Sequence, residues 1–262
     1  MPLHYGRAVA IAGAPIIWNY FKWMRKYAKN PTKYPFEKKY KDVQKLLKKL
    51  SQGFNVEYHV EGLEKLPEGL CSFACNHLSA YDPVSLICVL DRPCTFVAKK
   101  ELIDKPFIGK IIKGIEGQFI DRKDLKQSLR VMMNVENDFK TRADKSWIIF
   151  PEGTRNRDPM NNLMMFHHGT FRPAVKSNIP IVPVAVYGTF RVLKRKPAHK
   201  KYPIFVKFLD PIYPEQYKDM STLDIAKIVE YKIEQAISFD LRKKDHLEMA
   251  KIDKNYRFNK IY

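Results

Sequence analysis

The sequence is short of the patterns that mark several common classes of protein. No apolar run approaches the roughly 20 residues that a membrane-spanning helix needs, and the run at 8–18 is too short. No Gly-x-Ser-x-Gly elbow surrounds Ser79, which argues against a serine hydrolase. The four cysteines form no Cys-x2-Cys pair and the histidines no His-x3-His spacing, so no zinc site is indicated. We therefore expect no metal ion, and we expect the cysteines to be buried reduced thiols.

Acidic residues are scarce relative to basic ones. The 262 residues include 28 Asp and Glu against 47 Lys and Arg, which gives a net charge of +19. Such an excess indicates an anionic partner, such as a nucleic acid, an anionic lipid surface or an acidic protein. A nucleic-acid-binding protein is only a remote alternative, because the sequence contains neither an aromatic-rich RRM signature nor a helix-turn-helix. We expect an anionic membrane surface and no nucleic acid.

Strand-like apolar runs alternate with helical patterns through most of the chain. Strands are expected at 56–60, 72–75, 95–98, 118–120, 147–150, 181–186 and 204–208. The clearest helices are expected at 83–90, 123–140, 170–176 and 223–241. This alternation predicts an α/β fold with a mainly parallel central sheet flanked by helices. We predict an N-terminal helical segment (1–51), a catalytic domain (52–245) and a basic tail (246–262).

An imidazole and a carboxylate stand close together at the end of one expected strand. His77 follows the apolar run 71–75, and Asp82 lies five residues after it. Asp82 precedes Pro83, which is typical of a helix N-cap with proline at the first helical position. The turn between them can bring the carboxylate to the imidazole ring. A carboxylate bonded to one ring nitrogen fixes the tautomer of the imidazole and leaves the other ring nitrogen free to take a proton. A structural His–Asp pair is the alternative.

Two further loops carry arginines at strand ends. The stretch 150–157 follows the apolar run 147–150, and within it Gly153 permits a sharp turn and Arg155 offers a planar donor fork suited to phosphate. The stretch 117–122 is a third strand-like run that ends in Asp121 and Arg122. Loops at the ends of neighbouring strands converge on one side of a sheet, where α/β proteins place their sites.

These stretches resemble the motifs of the glycerophospholipid acyltransferases. His77 and Asp82 match the His-x4-Asp first motif; 117–122, 150–155 and 181–186 are similar to the second, third and fourth, in the same order, and 96–102 also resembles the family. The Thr154 form of the third motif is most similar to members that acylate lysophosphatidate to phosphatidate. A glycerol-3-phosphate or other lysophospholipid acyltransferase is the alternative within the family.

The resemblance implies a mechanism and a set of site residues. It implies that His77 is the general base, that Asp82 orients it, and that no acyl-enzyme forms. Binding of the acceptor is expected from Lys99, Arg122, Glu152, Gly153, Thr154 and Arg155. A shift of one residue in the alignment with the family motif would exchange Lys99 for Lys100. Glu152 is expected to hydrogen-bond a glycerol hydroxyl or to position Arg155. No cofactor is implied, and the acyl donor is acyl-CoA or an acyl carrier protein.

The N-terminal sequence has the composition of an interfacial helix. The apolar run 8–18 is followed by aromatic and basic residues at 20–26. In the next segment, 33–50, apolar residues are spaced as one helical face and lysines occupy mostly the other. An ordinary core helix with a solvated basic face is the alternative. We predict a monotopic protein on the cytoplasmic face of a membrane, with basic stretches at 194–201 and 242–260 extending the positive surface.

Overall fold

The computed structural model describes residues 3–160, 162–194 and 199–253. Its strands are β1 (Val56–Glu61), β2 (Ser72–Cys75), β3 (Cys94–Lys99), β4 (Gln118–Ile120), β5 (Ser146–Ile149), β6 (Ile181–Tyr187) and β7 (Tyr202–Phe208). They form one sheet in the order β1-β7-β6-β2-β5-β3-β4. All seven predicted strands are present, with their ends within about two residues of the prediction, which is the usual uncertainty of element ends.

Strand direction determines where the loops meet. β6, β2, β5, β3 and β4 run parallel to one another. β7 is antiparallel to β6, and β1 is parallel to β7. The predicted mainly parallel sheet is therefore confirmed. The carboxyl ends of five adjacent strands lie along one edge, which brings together the loops that carry the motif residues.

Helices cover both faces of the sheet. They are α1 (Leu3–Ala8), α2 (Ala14–Asn19), α3 (Arg25–Lys29), α4 (Phe36–Gly53), α5 (Asp82–Val89), α6 (Ile108–Gly114), α7 (Leu125–Thr141), α8 (Arg172–Lys176), α9 (Pro214–Tyr217), α10 (Thr222–Ala236) and α11 (Arg242–Ile252). The predicted helix 223–241 divides into α10 and a π-helical turn, Ile237–Leu241. The predicted helix 170–176 begins later, at α8, because His168–Phe171 forms a 3-10 turn.

Alternating side chains of the strands divide the core between the two faces. On one face, Phe73 and Val184 pack in a cluster that includes the apolar side of α4. On the other face, Ala74 and Ala185 pack in a cluster with the buried side of α10. The apolar stripe predicted for α4 is thus a core face. Lys39 is an exception to the predicted solvent-facing lysines, because it is fully buried and pairs with Glu116.

The N-terminal helices form one helical segment, residues 3–29, with π-helical turns between α1, α2 and α3. This segment packs against α4 and α6. It buries Trp23 and Met24 but leaves Trp18 and Phe21 67% and 62% exposed. The core-helix interpretation is therefore confirmed for the buried side of the segment, and membrane docking through its exposed side stays a prediction. Among the helices in the described part of the chain, none is both long and apolar enough to cross a bilayer.

Some predictions concern parts of the chain that this structure does not test. Residues 195–198 of the predicted basic loop and 254–262 of the predicted basic tail lie outside the described residues. The domain limits at 51 and 245 stay predictions.

The cysteines were expected to be buried reduced thiols. All four cysteines are buried free thiols.

Candidate active site

His77 and Asp82 form a buried pair just beyond the carboxyl end of β2. The chain leaves β2 at Cys75 and enters α5 at Asp82, so a short turn separates the two residues. The Nδ1 atom of His77 lies 2.7 Å from Oδ2 of Asp82. The Asp82 side chain is fully buried, whereas that of His77 is 14% exposed. In the described chain Nε2 of His77 has no hydrogen-bond partner, which leaves it available to a proton donor.

Backbone and hydroxyl groups hold the Asp82 carboxylate. Its Oδ2 also accepts from the N–H groups of Leu78 and Ser79, each at 2.8 Å. Its Oδ1 accepts from the hydroxyl of Thr189 at 2.5 Å. The predicted N-cap role is wrong, because Tyr81 occupies the cap and Asp82 begins the helix. The carboxylate turns back to the preceding loop instead of capping α5, which is what brings it to the ring of His77.

The loop after β5 fixes the backbone of His77. Glu152 Oε1 accepts from the His77 N–H at 2.6 Å, and the Asn156 N–H donates to the His77 carbonyl at 2.7 Å. The ring of Phe150 lies against the imidazole with centroids 4.4 Å apart. β5 is hydrogen-bonded directly to β2, so the two loops are neighbours. The third motif therefore positions the histidine of the first.

Glu152 is 2% exposed, and its other oxygen accepts from the Met164 N–H at 3.1 Å. Burial raises the pKa of Glu152 to about 7, against the opposing effect of the two backbone donors. Both oxygens are occupied by backbone groups. This favours a role for Glu152 in positioning His77. The sequence had suggested instead that Glu152 bonds a substrate hydroxyl or positions Arg155.

Three cationic side chains lie at or just after the ends of β3, β4 and β5: Lys99, Arg122 and Arg155. Arg122 and Arg155 are exposed, and neither pairs with a carboxylate in the described ranges. Although the Arg122 side chain is accessible to solvent, desolvation by the surrounding protein lowers the pKa of its guanidinium group; the Glu101 carboxylate raises this pKa by less, and the positive charge of Arg155 lowers it. Lys99 Nζ lies 2.8 Å from Glu101 Oε1. Lys100 instead pairs with Asp121.

The turn at Gly153 requires glycine. Its φ of +65° is in the left-handed region, and a Cβ there would lie 2.9 Å from Cδ2 of His167. Thr154 and Arg155 follow the turn and are exposed. His167 lies beside this loop because its N–H donates to the Pro151 carbonyl at 2.9 Å.

Three residues that contact the site were not predicted as site residues: Asn156, His167 and Thr189. Each reaches the site through a contact between separate loops, and no local pattern marks it. Neither is there, in the described stretches, a cluster of three or more His, Cys, Asp or Glu side chains suited to a metal ion. The expectation that the enzyme uses no metal stays a prediction.

The fold and the site together are those of an α/β enzyme that places a His–Asp pair beside two arginines, which have no carboxylate partner in the described chain. The family model described as Acyltransferase matches residues 57–187, half of the chain. The chain belongs to this acyltransferase family, as its motifs predicted.

The relatives that this chain matches carry the name 1-acyl-sn-glycerol-3-phosphate acyltransferase. The 1-acyl-sn-glycerol-3-phosphate acyltransferase of Escherichia coli strain K12 is 31% identical over 170 residues, 65% of this chain and 68% of that protein. The probable enzyme of the same name from Mycoplasma pneumoniae is 29% identical over 224 residues, 80% and 82% of the two chains. The crystal structure of the 1-acyl-sn-glycerophosphate acyltransferase from Thermotoga maritima has a TM-score of 0.71 at 22% identity, covering 90% of this chain and 94% of that one. It shares the fold.

Proposed function

We propose that this enzyme transfers a fatty acyl group from a thioester to the sn-2 hydroxyl of 1-acylglycerol 3-phosphate, which gives phosphatidate. The names of the Escherichia coli and Mycoplasma pneumoniae relatives support this reaction. The observation that carries the proposal is the 2.7 Å contact of His77 with Asp82, which leaves Nε2 of the imidazole without a partner among the described residues.

The pair supplies what acyl transfer to an alcohol needs. The hydroxyl is a poor nucleophile until Nε2 of His77 takes its proton. The resulting oxygen attacks the thioester carbonyl and forms a tetrahedral oxyanion, which collapses with loss of the thiolate. The imidazolium then returns its proton to the thiolate. Asp82 holds the Nδ1–H tautomer and stabilises the imidazolium while it exists.

The cations beside the pair suit the phosphate of the acceptor. Arg155 and Arg122 present guanidinium groups without carboxylate partners in the described chain, and such groups bind phosphate with two parallel hydrogen bonds. Lys99 supports them, although it also pairs with Glu101. Gly153 shapes the loop, and Thr154 lies exposed next to Arg155, where it can contact the acceptor.

The N-terminal segment and α4 suit an anionic membrane surface on the cytoplasmic side. Trp18 and Phe21 are exposed on the segment. A groove between the segment and α4 is lined by several lysines, among them Lys22, Lys26 and Lys45. Exposed aromatic groups beside lysines are typical of interfacial helices, and each cation near an anionic surface contributes about 1 kcal/mol. The basic surface suits either acyl-CoA or an acidic carrier protein as donor, and no nucleic acid is needed.

The test is acyl transfer in vesicles, with oleoyl-CoA or an oleoyl carrier protein as donor and lysophosphatidate or glycerol 3-phosphate as acceptor. We expect phosphatidate from lysophosphatidate only. His77→Ala should lower turnover by about 10²- to 10⁴-fold. His246→Ala, the same change at an exposed histidine of α11, is the control and should have no effect.

Other outcomes would change the proposal in specific ways. Product from glycerol 3-phosphate would retain the chemistry and move the enzyme one acylation earlier. If His77→Ala kept turnover within a few-fold of the wild type, the assignment of the base would be wrong.

A further inference from the structure

Thr189 contacts the proposed catalytic pair from outside every recognised motif. The residue lies just after β6, beyond the end of the family match at residue 187. Its side chain is fully buried, and its hydroxyl donates to Oδ1 of Asp82 at 2.5 Å. The other oxygen of that carboxylate has three donors, from His77, Leu78 and Ser79. In the part of the chain that the structure describes, Thr189 is the single donor to Oδ1.

The contact matters because the carboxylate is fully buried. A buried carboxylate oxygen without a donor is costly, and the group would turn to find one. Any such rotation also moves Oδ2, which is the atom that holds Nδ1 of His77. The Thr189 hydroxyl therefore controls the plane of the carboxylate and, through it, the orientation of the ring.

The turn that carries Thr189 is held on both sides. Before it, the side-chain amide of Asn76 bonds both backbone groups of Val186, its Nδ2 donating at 3.0 Å and its Oδ1 accepting at 2.8 Å. At Gly188 the φ is +93°, and a Cβ there would lie 2.4 Å from the Pro203 carbonyl oxygen. The backbone passes so close to this carbonyl, with this positive φ, that only glycine fits at the start of the turn.

After Thr189, a buried ion pair anchors the turn to the C-terminal helix. Arg191 is 2% exposed and binds both carboxylate oxygens of Asp245 on α11, with Nη1 3.0 Å from Oδ2. Burial raises the pKa of Asp245, and the Arg191 charge opposes that rise. A two-point guanidinium–carboxylate contact in a buried site has little freedom to move. The hydroxyl of Thr189 is thus presented by a rigid turn.

We propose that Thr189 is a positioning residue that fixes the Asp82 carboxylate and thereby orients His77 as the general base. The inference rests on the proposed role of His77 and extends the pair to a third side chain. Thr189 acts through Asp82 and does not touch the substrate. Its loss should lower kcat and leave the KM for lysophosphatidate nearly unchanged.

The first test compares Thr189→Val with Thr189→Ser. Valine keeps the shape and removes the hydroxyl, and loss of a hydrogen bond to a charged group should lower kcat by about 10- to 100-fold. Serine keeps the donor, so its kcat should stay within about threefold of the wild type. Thr95→Val is the matched control, because Thr95 is fully buried and its hydroxyl has no partner in the described chain.

A double-mutant cycle then separates positioning from a general structural effect. In an Asp82→Ala background, Thr189→Val should lower kcat by less than about twofold, because there is no side-chain acceptor left for the hydroxyl to orient. The same 10- to 100-fold loss in both backgrounds would overturn the inference. If the valine variant does not fold, Thr189→Ala replaces it in the same cycle.

The two proposals fail in different ways. Wild-type kcat in Thr189→Val, with turnover lost in His77→Ala and Asp82→Asn, would reject the role of Thr189 alone. Wild-type turnover in His77→Ala and Asp82→Asn would reject the proposed mechanism itself.

Discussion

Asp82→Asn isolates the charge of the proposed catalytic pair from its geometry. The asparagine amide oxygen can take the place of Oδ2 and keep the three donors from His77, Leu78 and Ser79. The amide nitrogen then faces the Thr189 hydroxyl, which can turn to accept a hydrogen bond. The substitution therefore preserves every contact of the carboxylate and removes its negative charge.

The expected magnitude follows from the attraction that is lost. With the charge centres of carboxylate and imidazolium about 4 Å apart and an effective dielectric constant of about 20, the attraction is about 4 kcal/mol. The imidazolium exists only after the proton transfer, so this energy affects the transition state and not the binding of the acceptor. We expect kcat to fall by about 10³-fold and the KM for lysophosphatidate to change little.

Release of CoA thiol from oleoyl-CoA, followed with a thiol reagent, measures kcat and KM in lysophosphatidate vesicles. The four cysteines give little background because all are buried, and burial raises the pKa of each thiol. Asp219→Asn makes the same change at an exposed carboxylate and should behave as the wild type. A kcat within a few-fold of the wild type in Asp82→Asn, or a loss expressed mainly in KM, would refute this reasoning.

Three further predictions address phosphate binding, pH and the membrane. Arg155→Ala should raise the KM for lysophosphatidate about 10- to 100-fold, while Arg130→Ala, at an exposed residue of α7, should not; an effect confined to the acyl donor would contradict a phosphate contact. The pKa of Glu152 rises on folding from 4.5 to about 7, so the folded state binds the proton more tightly than the unfolded state does. The free energy of unfolding of the wild type, relative to that of Glu152→Gln, should therefore fall by up to about 3 kcal/mol between pH 4.5 and 7. Urea unfolding at several pH values measures this difference, and a difference that stays constant with pH would contradict the prediction. Phe21→Glu should reduce sedimentation with anionic liposomes, whereas Phe239→Glu, at a residue that is 75% exposed, should not; equal binding by both variants would exclude the N-terminal segment from the contact.

The sheet and its loops were predictable because their signals are local. Most strands are short apolar runs, and polar motif residues begin within two residues of the ends of the runs 71–75 and 147–150. A parallel sheet then requires these loops to share an edge. His77, Asp82 and Arg155 were therefore placed on one side of the molecule from sequence alone.

The contacts between loops were not predictable, because they depend on distant parts of the chain. Glu152 looked like a substrate ligand, yet its carboxylate is occupied by the backbone groups of His77 and Met164. Lys39 looked like a surface lysine, yet it is buried against Glu116, 77 residues later. Thr189 lies 107 residues from Asp82, and nothing in its neighbourhood indicates that it bonds a carboxylate.

The order of the strands divides the site into a rigid part and an accessible part. β2 lies between β6 and β5, so His77 is held from the β5 side by Glu152 and Asn156, and Asp82 is held from the β6 side by Thr189. The three motif cations, Arg155, Lys99 and Arg122, lie on the β5 side, at the ends of β5, β3 and β4, with neighbouring strands about 4.8 Å apart. The reacting hydroxyl of the proposed acceptor is only a few bonds from its phosphate, so the nearest of these loops, which carries Arg155, is the one in direct reach when the hydroxyl meets Nε2. Lys99 and Arg122 lie two and three strands away from β2, so a smaller part in binding the phosphate is predicted for them than for Arg155.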